Sequence, residues 1–170
     1  MKTKSVELEL VAESAIPEAQ PASGVSPAVL FVAALKMEHL CTKESGIGLS
    51  AVQVGMPWDM FVVRRGCGTP SERYEYYVDC RYFSQGHETI KSIEGCLSLK
   101  REGKPRRFEV ERYKQVSIRG KRLLMGPEGL PMLEDVDFQE EGLYGIVFQH
   151  EIDHSMGILI SQIGTELEVA

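Results

Sequence analysis

Apolar residues recur with a helical period between residues 26 and 43. Ser26 and Pro27 are typical of a helix start, and the apolar positions that follow share one side of the predicted helix. These positions are Leu30, Ala33, Ala34, Met37, Leu40 and Cys41. Further apolar residues widen this surface over the first half, so we expect the helix to be largely buried. They are Val29, Phe31, Val32 and Leu35.

A second helical pattern lies near the end of the chain. Apolar residues and two histidines share one stripe, whereas Gln149, Asp153 and Glu140 are predicted to point elsewhere. The stripe contains Leu143, Ile146, Val147, His150 and His154. Gly157 is a typical helix stop, and acidic residues at 140 and 141 suit the positive end of the helix dipole.

Period-two alternation predicts strands in most of the remaining chain. Residues 5–12 indicate a half-buried strand, followed by a Pro-, Ala- and Ser-rich connector over residues 16–25. The later alternating segments are 58–63, 74–78, 108–111, 116–119 and 136–138. The sequence therefore predicts an α+β fold over residues 1–170, a single domain with mixed or antiparallel strands packed around the helix that carries His150 and His154.

Composition narrows the range of partners and compartments. Nineteen basic against 25 acidic residues give a net charge of -6, which argues against nucleic acid as the main partner. The chain contains no apolar run of membrane-spanning length, and its start lacks the apolar centre of a secretory signal, so we expect a cytoplasmic protein. The four cysteines have no paired spacing, which favours reduced thiols that are free to bind a metal.

The candidate chemistry is concentrated in the sequence Gln-His-Glu-Ile-Asp-His at 149–154. On a helix, His150 and His154 lie four residues apart on the same face, which suits two imidazoles binding one metal ion. Glu151 lies between them, where its carboxylate can take a proton from metal-bound water. The alternative is a buried helix with two core histidines and a surface glutamate, which would explain neither the spacing nor the acid.

The third metal ligand must come from outside this helix. A metzincin would have a histidine at position 160, where this chain has Ile160, and the only acids downstream are Glu166 and Glu168 in a short tail. The ligand is therefore expected upstream. Cys96, after Gly95, is the best candidate because the glycine leaves space beside the thiol.

Two other segments have competing interpretations. Gly46-Ile47-Gly48-Leu49-Ser50-Ala51 imitates a dinucleotide fingerprint, but a helix precedes it and extended chain follows, so we favour glycines that let a ligand approach the backbone, with Gln53 as an amide donor beside them. The basic run over residues 100–107 indicates a solvated loop between strands, and an acidic partner there remains open.

Three motifs together resemble the peptide deformylase family. They are Gly-Ile-Gly-Leu-Ser-Ala-Val-Gln at 46–53, Glu-Gly-Cys-Leu-Ser at 94–98 and Gln-His-Glu-Ile-Asp-His at 149–154. The resemblance extends over about residues 27–160 and implies removal of the N-formyl group from nascent peptides that begin with formyl-methionine. It implies a hydrolase in which metal-bound hydroxide attacks the formyl carbonyl, in a bacterial cell or one infected by a virus, with an organelle also open.

The same resemblance implies a role for each motif residue. Cys96, His150 and His154 would bind one divalent ion, Fe²⁺ in the cell with Zn²⁺, Ni²⁺ or Co²⁺ as substitutes. Glu151 would be the general acid and base, and Gln53 and the Leu97 N–H would donate to the oxyanion. Backbone groups would hold the peptide in an extended form; these belong to Ile47, Gly48 and Gly95. We expect a monomer without nucleic-acid or membrane partners.

Several positions depart from the family pattern. Ser50 stands where alanine is common, Ser155 where leucine is usual, and Val78-Asp79-Cys80 where Ile-Asn-Pro is usual. The chain also leaves no room for the long helix that follows the catalytic helix in many bacterial members, so we expect no ribosome contact through such a helix. Two rivals remain: a zincin-type zinc peptidase with another third ligand, and a catalytically silent metal-binding module.

Overall fold

The computed structural model describes residues 7–168, which form three helices and eight strands besides two short 3₁₀ turns. The helices are α1 (Pro27–Lys43), α2 (Gly142–Ser155) and α3 (Ile160–Ile163). The strands are β1 (Gly48–Ser50), β2 (Met60–Arg65), β3 (Arg73–Ser84), β4 (Thr89–Arg101), β5 (Lys104–Tyr113), β6 (Gln115–Met125), β7 (Pro131–Glu141) and β8 (Thr165–Glu166). None of these helices has the length and apolar character needed to span a bilayer.

The strands form two antiparallel sheets that leave β1 and β4 as edges. One sheet has the order β1-β2-β3-β6-β7, and the other has the order β4-β5-β8. Helix α2 contacts strands of the first sheet and also β5 of the second. The predicted α+β class, with antiparallel strands around the histidine-bearing helix, is confirmed.

Helix α1 begins and ends where the sequence predicts, but it is less buried than expected. The six residues of its predicted apolar face are all buried, and all but Ala33 belong to the core cluster that includes residues of the first sheet. Val29, Val32 and Leu35 are instead 48%, 56% and 47% exposed. The prediction of a largely buried helix was therefore wrong, because the protein covers only one face of α1.

The N-terminal segment is extended without forming the predicted strand. Residues 5 and 6 of that prediction lie outside the described residues, and residues 7–12 pair with no strand within 7–168. Leu8 and Leu10 still pack against the core, and the Val11 N–H donates to the Gln53 carbonyl at 2.9 Å. Core packing and this hydrogen bond hold the segment without ladder pairing.

Strand β3 is longer than predicted because it continues through a bulge at Asp79. Its register against β6 shifts between Val78 and Arg81, and Asp79 has a left-handed backbone with φ of 50°. The Asp79 carboxylate accepts hydrogen bonds from the Ala22 and Ser23 N–H groups at 2.7 and 2.9 Å. Asp79, one of the residues that depart from the family pattern, thus connects the N-terminal connector to the first sheet through hydrogen bonds.

Helix α2 buries more of its surface than the predicted stripe. Gln149 and Asp153, expected to point away from the core, are 1% and 3% exposed. The Gln149 amide bonds both backbone groups of Tyr113 on β5, each at 3.0 Å. The prediction was wrong because α2 lies between two sheets and is covered on both sides. The helix does end before Gly157, as predicted, and Gly157 has a left-handed backbone with φ of 73°.

Candidate metal centre and active site

A β-bulge and one helix bring the three candidate metal ligands together. The register of β4 against β5 shifts between Gly95 and Lys100, which turns this stretch of β4 away from the ladder. Cys96 lies at the start of the shift and is 3% exposed. Its Sγ lies 3.5 Å from His154 Nε2 on α2.

The ligand atoms of Cys96, His150 and His154 have spacings that fit one metal ion. They all lie within 4.8 Å of one another, and all three side chains are enclosed. A thiolate and an imidazole on one tetrahedral ion, with bonds of about 2.3 and 2.05 Å, would lie about 3.5 Å apart. The Cys96–His154 distance meets this requirement, and the soft sulfur and nitrogen donors suit a divalent transition metal.

Glu151 lies against the backbone of β1. It is 4% exposed, and its Oε2 atom has no hydrogen-bond partner within residues 7–168. A Cβ placed on Gly48 would lie 2.4 Å from Glu151 Oε1, so only glycine lets the strand and the carboxylate approach this closely. Burial is the main cause that raises the pKa of Glu151, to about 7. The residue can therefore exist in either protonation state near neutral pH.

Gln53 presents its amide nitrogen to the thiol. The Ser50 N–H donates to Gln53 Oε1 at 2.9 Å, which fixes the orientation of the amide. Gln53 Nε2 then lies 3.3 Å from Cys96 Sγ and 3.1 Å from Ser98 Oγ. Ser50 thus holds the 3₁₀ turn Ala51–Val54, from which Gln53 points to the centre.

A buried ionic network supports His150 from behind, whereas the buried His154 Nδ1 has no hydrogen-bond partner within residues 7–168. Glu94 lies 2.8 Å from His150 Nδ1 and receives two hydrogen bonds from Arg112, at 2.8 and 2.9 Å. Arg112 also pairs with Asp153, which accepts a further hydrogen bond from the Tyr82 hydroxyl at 2.9 Å. Every charged group of this network therefore has an opposite charge or a hydrogen-bond donor beside it.

The network sets the orientation of His150. Burial raises the pKa of Glu94, but the hydrogen bonds from Arg112 and His150 outweigh it and hold the pKa at about 2. An ionised carboxylate can only accept, so His150 Nδ1 carries the proton and Nε2 is left for the centre. This is the arrangement that metal-binding imidazoles usually have.

The electrostatics of the centre favour one positive charge. Burial lowers the pKa of His150, but its hydrogen bonds with Cys96 and Glu94 outweigh burial and raise the pKa to about 10. Burial and the neighbouring His150 lower the pKa of His154 well below its usual value. The surroundings thus stabilise a single positive charge on these two imidazoles and disfavour a second one.

A cavity of about 490 Å³ opens onto this centre. One wall is the β1 segment, the opposite wall is the β4 edge, and α2 forms the floor. Apolar side chains of α2 line it beside His150 and Glu151; these are Leu143, Ile146 and Val147. The cavity lies between two edge strands, where an extended chain can add backbone hydrogen bonds.

The structure brings the residues singled out from the sequence to this one site. Eight of them line the cavity: Ile47, Gly48, Gln53, Gly95, Cys96, Leu97, His150 and Glu151. His154 lies beside Cys96 and is 2% exposed. Sequence reasoning missed Glu94, Arg112, Asp153 and Tyr82. The one available signal was the position of Glu94 within the Glu-Gly-Cys motif, since Arg112 and Tyr82 lie in ordinary strand sequence.

The family model for polypeptide deformylase matches residues 18–168 of this chain. The chain belongs to that family. The predicted resemblance is therefore confirmed, and it extends beyond the motifs to most of the chain. The peptide deformylase of Phenylobacterium zucineum is 32% identical over 115 residues, which cover 67% of this chain and 60% of the relative. The matched stretch thus spans about 60% of that relative's length.

Solved structures from the family share this fold. The crystal structure of the Thermotoga maritima peptide deformylase has a TM-score of 0.73 and 26% identity, covering 92% of this chain and 96% of that one. A Met-Ala-Ser-bound class I type b peptide deformylase from Acinetobacter baumannii has a TM-score of 0.72 and 25% identity, covering 94% and 99%. The family fold thus extends over nearly all of this chain.

Proposed function

We propose that this protein is a metal-dependent hydrolase that removes the N-formyl group from nascent peptides beginning with formyl-methionine. The observation that carries the proposal is the convergence of Cys96, His150 and His154 within 4.8 Å, with the buried acid Glu151 beside them. A formamide is hydrolysed when a nucleophile, oxyanion donors and a proton carrier meet at one carbonyl. The cavity contains candidates for each role.

Cys96, His150 and His154 would hold a divalent ion, Fe²⁺ in the cell and Zn²⁺, Ni²⁺ or Co²⁺ after exchange. When bound, the ion supplies Lewis acidity, which lowers the pKa of nearby water and polarises the formyl carbonyl. The thiolate makes the donor set softer than three nitrogens would, which suits iron or zinc. Iron bound beside a thiolate would also make the protein sensitive to oxygen.

Glu151 moves the proton. Its unpaired Oε2 atom accepts the proton of the attacking water, and the same oxygen then delivers it to the amine that leaves. A pKa of about 7 suits a group that must both take and give a proton near neutral pH. Gly48 keeps the carboxylate in place, because any side chain there would displace it.

Gln53 and the backbone N–H of Leu97 stabilise the developing oxyanion. The Gln53 amide nitrogen already points at the thiol, with its oxygen held by Ser50. Leu97 lies within the register shift of β4, where it has no pairing partner on β5, and it lines the cavity. Two donors fixed before substrate arrives need no reorganisation during the reaction.

The peptide would lie extended between the edges of β1 and β4. The Ile47 carbonyl accepts the Arg64 N–H at 2.7 Å, which fixes this residue beside the cavity, where its N–H would donate to the peptide. Gly48 and Gly95 expose backbone groups without side chains in the way. The methionine side chain fits the apolar floor, formed by Leu143, Ile146 and Val147. The Met-Ala-Ser-bound Acinetobacter relative supports a peptide in this cavity.

The substrate also suggests the cellular setting. Formylated chains are made in the bacterial cytoplasm, so we place the reaction there, including in a cell infected by a virus. We propose a monomer that acts on nascent chains and needs neither nucleic acid nor a membrane. We also propose that residues 1–170 form one deformylase domain.

The experiment is a formate-release assay on anaerobically purified, Fe²⁺-loaded protein with formyl-Met-Ala-Ser. We expect formate and a free methionine amine in equal amounts, and we expect Cys96→Ser to lose both bound metal and activity. Internal peptide cleavage, or metal and activity that survive Cys96→Ser, would instead support the zincin-type peptidase. Stoichiometric metal without formate release would support a silent metal-binding module.

A further inference from the structure

Arg107 places an exposed cation at the mouth of the cavity. It lies on β5 directly opposite Gly95 of β4, and both residues line the cavity. A Cβ placed on Gly95 would lie 3.8 Å from Arg107 Cδ and 3.9 Å from its Nε. The arginine side chain therefore lies beside the space that glycine leaves, where a bound peptide would pass.

Most other charges on this hairpin are already paired. Lys91 bonds Glu109 and Lys100 bonds Glu44, at 2.7 and 2.8 Å. Arg106 bonds Glu166 at 2.7 Å. Within residues 7–168, no carboxylate forms an ion pair with the Arg107 guanidinium. The Glu44 carboxylate across the cavity is held by Lys100, so the uncompensated charge at the mouth is positive.

We propose that Arg107 makes the site prefer peptides with a carboxylate one or two residues beyond the formylated methionine. This inference rests on the proposed deformylase function and adds a sequence preference to it. The guanidinium presents a planar fork of donors that matches a carboxylate. Because side chains alternate along an extended chain, only one of positions two and three faces Arg107. A carboxylate at that position forms an ion pair there, and a lysine is repelled.

The preference is expected to be small because the pair is exposed to water. Exposed ion pairs contribute up to about 1 kcal/mol, which corresponds to a preference of about two- to fivefold in kcat/KM. Raising the salt concentration from 0.05 to 0.5 M, as an added experimental condition, shortens the Debye length from about 14 Å to about 4 Å, so the preference shrinks. A purely steric role for Arg107 would show no such salt dependence.

The test compares amidated formyl-Met-Xaa-Yaa peptides with Glu, Ala or Lys at one of the two positions, using the metal-loaded full chain. The wild-type protein should prefer Glu to Ala about two- to fivefold at one position. The ratio should fall to about one in Arg107→Gln, and Arg107→Glu should prefer Lys. Lys104→Gln is the matched control, since it removes an exposed charge from the same strand without altering the cavity lining, and it should keep the wild-type ratio.

A second pair of peptides distinguishes the two sources of the carboxylate. Formyl-Met-Ala-Ala is compared as the free acid and as the amide. If formate is released faster from the free acid than from the amide, and Arg107→Gln abolishes this difference, the C-terminal carboxylate is the group that binds Arg107. If amidated peptides with Glu react faster than those with Ala, the glutamate side chain is the group that binds it. Either result supports the proposal.

Two results would overturn it. One is a wild-type ratio near one for every carboxylate peptide, and the other is a preference that Arg107→Glu leaves unchanged. In both cases formate is still released, so the deformylase function stands. Formate release from none of the peptides would instead contradict the deformylase function itself.

Discussion

The two sides of the metal centre differ in how their polar groups are paired. The front is the side toward the cavity, with Glu151 and Gln53, and the back is the buried network of Glu94, Arg112, Asp153 and Tyr82. At the front, Glu151 Oε2 has no partner within residues 7–168, and the amide nitrogen of Gln53 contacts only the Cys96 thiol and the Ser98 hydroxyl. At the back, Glu94 and Arg112 form a dense set of charged hydrogen bonds. Unpaired buried groups are costly to keep, so they indicate where a ligand binds. Paired groups indicate what holds that place rigid.

Removal of Arg112 should have the largest effect on the buried network behind the metal centre. Arg112→Leu leaves Glu94 and Asp153 buried without their counter-charge, and we expect a loss of about 3 to 5 kcal/mol in the free energy of unfolding. Urea unfolding measures it. Arg119→Leu, which removes an exposed pair with Asp137, should cost at most about 1 kcal/mol. Equal losses in the two variants would contradict a special role for the buried network.

The corresponding change at the front should affect rate rather than stability. Gln53→Ala removes one of the two proposed oxyanion donors, and we expect turnover to fall by about 10²- to 10³-fold, or about 3 to 4 kcal/mol, with metal still bound. Formate release and metal content are measured on the same sample. Gln115→Ala, an exposed amide on β6, is the control. Unchanged turnover in Gln53→Ala would remove this residue from the mechanism.

Glu94 connects the two sides, and its removal should have an intermediate effect. Glu94→Gln keeps the shape but loses the carboxylate that holds His150 Nδ1–H, so we expect metal affinity to fall by about 10- to 100-fold. Competition with a chelator measures the affinity. Glu109→Gln, on the exposed face of β5, should leave it unaltered. If Glu94→Gln bound metal as tightly as the wild type, the network would serve folding alone.

A second ionic cluster, away from the centre, should have the smallest effect. Burial raises the pKa of Glu75, but hydrogen bonds from Arg65 and Tyr77 outweigh it and leave the pKa below its usual value. The folded state therefore favours the charged form. Its contribution is complete above the unfolded pKa of about 4.3 and is lost as pH falls through the lower folded value.

The pH dependence of Glu75→Gln checks this sign. At pH 7 we expect the variant to be less stable than the wild type by about 1.5 kcal/mol, since Glu75 is buried but glutamine keeps part of its hydrogen bonding. The gap should close below about pH 4, because the wild-type carboxyl then takes up its proton. Unfolding midpoints in urea across this range measure the gap. A gap that widens with acid would show that the folded-state pKa is raised rather than lowered.

The same contrast explains what the sequence could predict. Periodicity identified α1 and its six buried positions, since a helix packed on one side leaves a clear apolar stripe. It also predicted burial for Val29, Val32 and Leu35, which are exposed, because periodicity cannot say how far a neighbour wraps around a helix. Motif spacing predicted which residues meet at the front of the site, because the proposed chemistry needs fixed residue types.

The buried network at the back of the site could not be predicted from the sequence, for a physical reason. Arg112 and Asp153 lie on β5 and α2, and their pairing follows from how these elements pack rather than from any local pattern. A charged residue in a strand ordinarily indicates a solvated face. Only the tertiary structure turns Arg112 inward, where a full set of carboxylates makes its burial tolerable.

The close approach of Gly48 to Glu151 also bears on resistance to inhibitors. A compound seated against this backbone would contact a position where any substitution must displace the Glu151 carboxylate, and with it the proposed proton carrier. Substitutions that weaken inhibitor binding would be expected at the rim of the cavity, where Ile93 and Leu143 are 65% and 54% exposed. An inhibitor that contacts Gly48 would therefore bind where a substitution also threatens the proposed activity.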